Sequence, residues 1–371
     1  MTSRSSMSET MRISLWQRGQ RSGSASHSYD GITIAQRSDD HGASWSEPVV
    51  VFDGRELDPP ESMIQPVLVA PRDGSLLCLS PVVLGTSTDR HPLLSAEGFA
   101  HERRYYKQHS RDGGRTWTEP ERLDHLDVPQ LGLSGKSFVL PNGELFINAA
   151  HPSPAGSRCA AACYSSDHGC TIGPLMELFR DPAIRRTGDP ANRWNYDEAN
   201  YTVFPDGTIL GLYWTWRSRD GDTMEILETA PVHRSTSRDN GRTWSLPKAT
   251  NLVGQVSSPY ALDDQTVLVA SNYRFQPAGI RLWLSRDRGE TFDGENVIQM
   301  WDPEREEVTC EPLEAPPVSV DQGAANDMGA FRFGLPELHR LADGTLLLTY
   351  WGQRDGQEQV RACRFRVDIG G

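Results

Sequence analysis

Glu198 in NYDEANYTVFPDG, Lys136 in SGKSFVLPNG and Glu337 in FRFGLPELHRLADG are the ionisable side chains whose spacing could support chemistry. Glu198 stands nine residues before the turn glycine Gly207, while Lys136 and Glu337 each stand seven before theirs, Gly143 and Gly344. Asn200 and Ser258 share the second register, and Gln65 and Ser134 share the first. Side chains two apart on a strand lie on one face, so this set is expected to line a common channel. Two carboxylates in one cleft can divide the acid and base roles of a hydrolysis. A lysine among them needs a partner, and Glu337 or Glu198 could supply it. It then acts either as half of a structural ion pair or as a cation for an anionic ligand. Asn195, Tyr196 and Asp197 make a polar rim beside Glu198, and Tyr196, Trp194, Trp214, Trp216 and Tyr273 could form an aromatic platform.

The elements that must position these residues are written in two repeated motifs. PRDGSLLCL at Pro71, PNGELFINA at Pro141, PDGTILGLY at Pro205 and ADGTLLLTY at Ala342 share one form, with LDDQTVLVA at Leu262 a weaker copy. An Asp-Gly or Asn-Gly pair between apolar runs signals a tight hairpin. The second motif, S-x-D-x-G-x-[T/S], begins at Ser38, Ser110, Ser165, Ser237 and Ser285. An aromatic follows in four copies and Ile172 in the other. An aspartate in a turn accepts backbone N–H groups, glycine supplies a conformation costly for other residues, and the aromatic can be buried between sheets. The box therefore predicts architecture rather than chemistry.

Each unit reads as strand, turn, strand, loop, strand, box, strand: four short antiparallel strands. Repeats of this size predict a radial array, an all-β propeller. The count favours six blades: an N-terminal one without a clear inner strand, four complete ones, and a C-terminal one without an outer strand. Five blades with merged ends is the alternative. One domain then spans residues 1–371, with 1–11 either disordered or a closing strand.

The net charge of −13 over 371 residues argues against a nucleic-acid partner, although a local arginine cluster could still bind an anionic ligand. No stretch approaches the length of a membrane span. The polar start MTSRSSMSETMRISLW carries no apolar signal core, which points to the cytoplasm unless the start is truncated. The six cysteines show neither a CxxC pair nor a usual metal spacing, so reduced thiols and no metal or other cofactor are expected.

The repeated box on a turn-and-strand unit resembles the Asp boxes of the sialidase (neuraminidase) superfamily over nearly the whole chain. The resemblance implies a six-bladed propeller with a site at the centre of one face. It also implies an arginine triad for the substrate carboxylate, a tyrosine nucleophile activated by a glutamate, and an aspartate acid/base. Glu198 matches the glutamate. Arg274, in LVASNYRFQPAGIRLWLSRDRGETF, takes the third-arginine role about three residues from the expected register. Arg217 is likewise three late for the second, with Trp214 in the aligned place. WQRGQRSGSASHSYDGITIAQRSDD resembles the arginine and acid-loop segment, making Arg18 a binding candidate and Asp30 the acid/base, with His27 its understudy.

Two departures stand out. No arginine-isoleucine-proline strand precedes the first box, and Leu335 occupies the place of the tyrosine, with Phe331 and Phe333 nearby lacking a hydroxyl. The expectation is a sialidase-like glycoside hydrolase acting on a terminal acidic sugar of a glycan. Its catalytic candidates are Glu198, Asp30 and Glu337, and its binding candidates are Arg274, Arg217, Arg18, Lys136, Gln65, Tyr196 and Asp197. The alternatives are a related propeller glycosidase or lyase using carboxylates, and a non-catalytic glycan-binding propeller.

Overall fold

The structure, a computed structural model, describes residues 3–7, 12–18, 32–57, 62–63, 66–83, 103–128, 131–133, 135–152, 158–179, 194–218, 226–274, 277–313, 332–355 and 357–368. Every sheet is antiparallel. The first holds β1 to β4 (Ser3–Met7, Arg12–Arg18, Ile32–Ser38, Val49–Asp53). The second holds β5 to β9 (Ser62–Met63, Val67–Val69, Leu76–Val83, Arg103–Ser110, Glu121–Arg122). The third holds β10 to β13 (Phe138–Val139, Leu145–Pro152, Arg158–Ser165, Met176–Glu177). The fourth holds β14 to β18 (Trp194–Val203, Ile209–Ser218, Ile226–Thr229, His233–Ser237, Lys248–Ala249). The fifth holds β19 to β23 (Ser257–Ala261, Val267–Tyr273, Gly279–Ser285, Ile298–Asp302, Glu307–Pro312), and the last β24 to β26 (Phe333–Arg340, Leu346–Arg354, Gln357–Phe365).

These sheets form a β-propeller. Five are complete blades of four or five strands, and the C-terminal sheet has three. The N-terminal sheet, expected to lack a clear inner strand, has one in the 1–11 segment, where a closing strand was one of the two options: β1 packs against β6 on one side and β24 and β25 on the other. Its sequence, SRSSM, lacks the apolar alternation that marks a strand. The contact closes the ring between the two ends of the chain.

Apolar clusters fill the seams between successive sheets. Val67, Leu77 and Leu79 of the second pack with Leu145 and Ile147 of the third. Leu268, Ile280 and Trp301 of the fifth pack with Leu338, Leu348 and Tyr350 of the last. Radial repetition thus buries both faces of each sheet.

The five boxes share one hydrogen-bond pattern. In the second, the Ser110 hydroxyl donates to Asp112 Oδ1 (2.9 Å) and accepts from the Gly114 N–H (2.8 Å). Asp112 also accepts from the N–H and hydroxyl of Thr116 (2.9 and 2.6 Å). The aspartate reaches four residues on, one further than a simple turn requires, because the threonine hydroxyl closes the loop. These bonds, led by the side-chain hydroxyl of Ser44, Thr116 or Thr171, hold Asp40, Asp112 and Asp167 at about 2, below the ordinary 3.8.

A carboxyl depressed by folding stabilises the protein above its ordinary pKa, and that stability is lost as pH falls through the folded value. Acid titration followed by tryptophan fluorescence is therefore expected to show cooperative loss of structure between about pH 4 and pH 2. Asp112→Asn should be less stable at neutral pH and respond less to acid in that window. An unchanged acid response in that variant would remove the boxes as the cause.

Candidate functional site

Strand β14 pairs with β15 so that Trp194 lies opposite Arg217 and Val203 opposite Ile209. Ile209 in turn lies opposite Ser237, where β17 runs into its box. Hairpin turns and boxes therefore share one end of the blade, and Glu198, Trp194 and Arg217 lie towards the other.

Glu198 sits in a β-bulge. The register with β15 slips between Asp197 and Asn200, and the Glu198 backbone takes a left-handed φ of +44°. An extra residue inserted in one strand re-aims its side chain. The left-handed conformation is uncommon for a residue with a Cβ, so the surroundings must enforce it. Its N–H donates to Asp197 Oδ1 (2.8 Å), whose Oδ2 lies 2.5 Å from Arg158 Nε. The Arg158 N–H donates to Asn195 Oδ1 (2.8 Å). From the neighbouring blade, Asn148 Nδ2 donates to the Ala199 carbonyl (2.8 Å), and the Lys136 N–H donates to Asn200 Oδ1 (2.8 Å). The third blade thus holds the bulge from one side at several points.

The same device recurs in β24, where the register slips between Gly334 and Glu337 and Leu335 has a φ of +50°. Glu198 and Leu335 are therefore equivalent positions on two inner strands. Leu335 is buried with Val256 and Trp351. No hydroxyl is available at that position.

Arg274 follows β20. One guanidinium nitrogen donates to Gln255 Oε1 and the other to the Phe333 carbonyl (3.0 Å). Gly334 makes room for it: a Cβ there would lie 2.6 Å from Arg274 Nη2. Burial pulls the Arg274 pKa down to about 10, against the opposing pull of the Glu198 carboxylate. Arginine and glutamate therefore feel one another across the seam between the fourth and fifth blades. Arg217 closes β15 with its guanidinium carbon 5.9 Å from the Trp194 ring centre.

Glu337 is almost fully buried, 3.4 Å from His339 Nε2. Lys136 faces it electrostatically; burial lowers the lysine pKa and Glu337 raises it. Asn200 and Ser258 are buried in polar contacts, Asn200 with the Lys136 N–H and Ser258 with the Leu338 N–H (3.3 Å).

Other expected residues are placed differently. Tyr196 is a core residue, edge-on to Phe179 at 5.1 Å and close to Tyr213. It cannot offer a platform to a ligand. Trp216 and Tyr273 are also buried, Tyr273 beneath the Arg281 guanidinium, so of the expected aromatic platform only Trp194 and Trp214 keep partial exposure. Asp197 is an anchor for Arg158 and for the Glu198 N–H rather than an open ligand-binding group. Asp30, His27, Gln65 and Ser134 lie outside the described residues, as does the side chain of Arg18.

The sequence expectations missed Arg158 and Arg103. Both open the third strand of their blades and both are buried. Arg103 Nη1 donates to the Leu131 carbonyl (2.6 Å), and Gly132 lies against both guanidinium groups. Burial lowers the Arg103 pKa, with Asp197 pulling it back up. The legible signal was an arginine heading a run of small buried residues, RCAAACYS.

Residues 13–348 match the model of the BNR repeat-like domain family, and the chain belongs to that family. No match was found among curated proteins. Among solved structures, a Dyadobacter fermentans protein of unknown function superposes with a TM-score of 0.68 at 17% identity, covering 99% of this chain and 94% of its own. The Hadza microbial sialidase Hz136 gives 0.66 at 16%, covering 98% of this chain, which spans only 65% of that protein. The intramolecular trans-sialidase from Ruminococcus gnavus, in complex with oseltamivir carboxylate, gives 0.62 at 13%, covering 97% and 93%. At these identities the likeness is one of fold: a sialidase-like propeller.

Proposed function

We propose that the protein is a sialidase-like glycoside hydrolase that removes a terminal acidic sugar from a glycan. The observation that carries this reading is the opposition of Glu198, held in its bulge, to Arg274 at the end of the inner strands away from the boxes. Arginine suits a sugar carboxylate because its planar fork matches two oxygens.

With Leu335 in the equivalent bulge, no tyrosyl intermediate forms there. Water attacks the anomeric carbon as Glu198 takes its proton. The bond to the leaving oxygen breaks as that oxygen receives a proton from an acid, for which Asp30 is the candidate. Direct attack by water inverts the anomeric configuration.

The buried Leu335 also favours a second reading, glycan binding without turnover. One experiment separates the two: release of a fluorogenic leaving group from a sialic acid glycoside, compared with direct binding of the same sugar. Hydrolysis is expected to fall at least about 100-fold in Glu198→Gln, the scale of a lost general base, with binding retained. Arg274→Ala should lose both. Saturable binding without turnover would support the binding reading. Neither binding nor turnover would sink both for sialosides, and uronic-acid glycosides would be the next panel.

A further inference from the structure

A cavity of about 280 Å³ lies on the propeller axis, walled by inner strands of the second, third, fifth and last sheets. Its polar lining comes from Lys136, Ser137, Tyr260, His339 and Arg340, the remainder being apolar side chains. Among the described residues that line it there is no carboxylate; Glu337, 3.4 Å from His339 Nε2, is not part of the lining. A protein of net charge −13 has thus gathered a lysine, an arginine and a histidine around one open-mouthed cavity.

The Lys136 ammonium is the decisive group. Its backbone N–H is engaged by Asn200, but among the described residues the ammonium has neither a hydrogen bond nor an ion pair. Glu337 acts on it only at a distance. Lys136 is half-buried, and a partly desolvated charge without a partner is costly. Arg340, beside the Tyr260 phenol, adds a second cation from another blade.

We propose that the axial cavity binds a compact, doubly charged oxyanion of the phosphate or sulfate type. Lys136 and Arg340 supply charge, and the Tyr260 and Ser137 hydroxyls and His339 supply hydrogen bonds. At about 30 Å³ per water the space holds roughly nine waters, ample for such an ion with part of its hydration shell. Lys136 comes from the third blade, Tyr260 from the fifth, and His339 and Arg340 from the last. The anion therefore ties blades together across the ring, and it acts independently of whether Glu198 catalyses anything.

The test is thermal unfolding of the full chain in phosphate against chloride at matched ionic strength and pH. Binding to the folded state alone raises the midpoint, and about 10 mM phosphate is expected to raise it by about 2 °C or more over chloride. Phosphorus NMR line broadening measures the same binding without reference to stability. In Lys136→Met the excess shift and the broadening should disappear, and in the exposed Arg340→Gln the apparent Kd should weaken about tenfold, the scale of one charge-assisted contact. Glu198→Gln should keep the full response, so failure of the hydrolase reading leaves this test intact. A phosphate shift no larger than that of chloride, or one undiminished in Lys136→Met, overturns the proposal. Should Lys136→Met fail to fold, Arg340→Gln and the phosphorus titration decide: broadening identical to wild type overturns it.

Discussion

Gly135→Ala is expected to destabilise the protein by about 3 to 5 kcal/mol, among the largest effects of any single methyl group here. Gly135 has a φ of +77°, a left-handed conformation that strains any residue with a Cβ. The second term is larger. A Cβ at this position would overlap the Ala199 carbonyl oxygen and the Asn148 side-chain amide. That amide is the one that donates to the Ala199 carbonyl. The third and fourth blades can accommodate the methyl only by moving apart, which breaks the Asn148 and Lys136 bonds that hold the bulge at Glu198. Urea unfolding measures the loss. A cost below about 1 kcal/mol would show that the blades slide freely at this seam. Gly74→Ala provides the contrast: its φ of +83° carries the same backbone strain, but nothing stands near its missing Cβ. It is expected to cost only about 1 kcal/mol.

The difference between these glycines shows what a sequence does and does not carry. The hairpin turns and the boxes were legible because each turn demands particular residues, and the spacing to their glycines made Glu198 and Leu335 equivalent positions, which the structure shows to be bulges. Strand β1 was legible only as one of two options for residues 1–11, because SRSSM is polar and shows no apolar alternation. The two-residue outer strands, such as Glu121–Arg122 and Lys248–Ala249, are too short to show any period. Tyr196 was expected on a polar rim because it neighbours Glu198, but its ring turns into the core against Phe179 and Tyr213. Asn200 and Ser258, in the same register as Lys136, turned out buried in hydrogen bonds to neighbouring inner strands. Lys136 and Glu337 came out close to one another because no bulge separates their register from the turns that follow.

Arg158→Met is expected to cost about 3 to 5 kcal/mol, the range for removing one partner of a buried ion pair. The side chains of Arg158 and Asp197 are only 5% and 12% exposed, so solvent screens little of their attraction. Losing the arginine leaves Asp197 in a poorly hydrated seam beside Arg103, whose guanidinium is already bonded to the Leu131 carbonyl. Arg158→Met/Asp197→Leu removes both charges and should recover much of the loss, because an apolar pair of similar volume often matches a buried ion pair in stability. It does not restore the acceptor for the Glu198 N–H. The double variant should therefore fold with near wild-type stability while its bulge loses the bond that fixes the left-handed turn. Sugar binding or turnover that falls in the double variant despite recovered stability would separate positioning of Glu198 from simple support of the fold. Full recovery of both would show that the blades alone shape the bulge, and that the Arg158–Asp197 pair serves stability only.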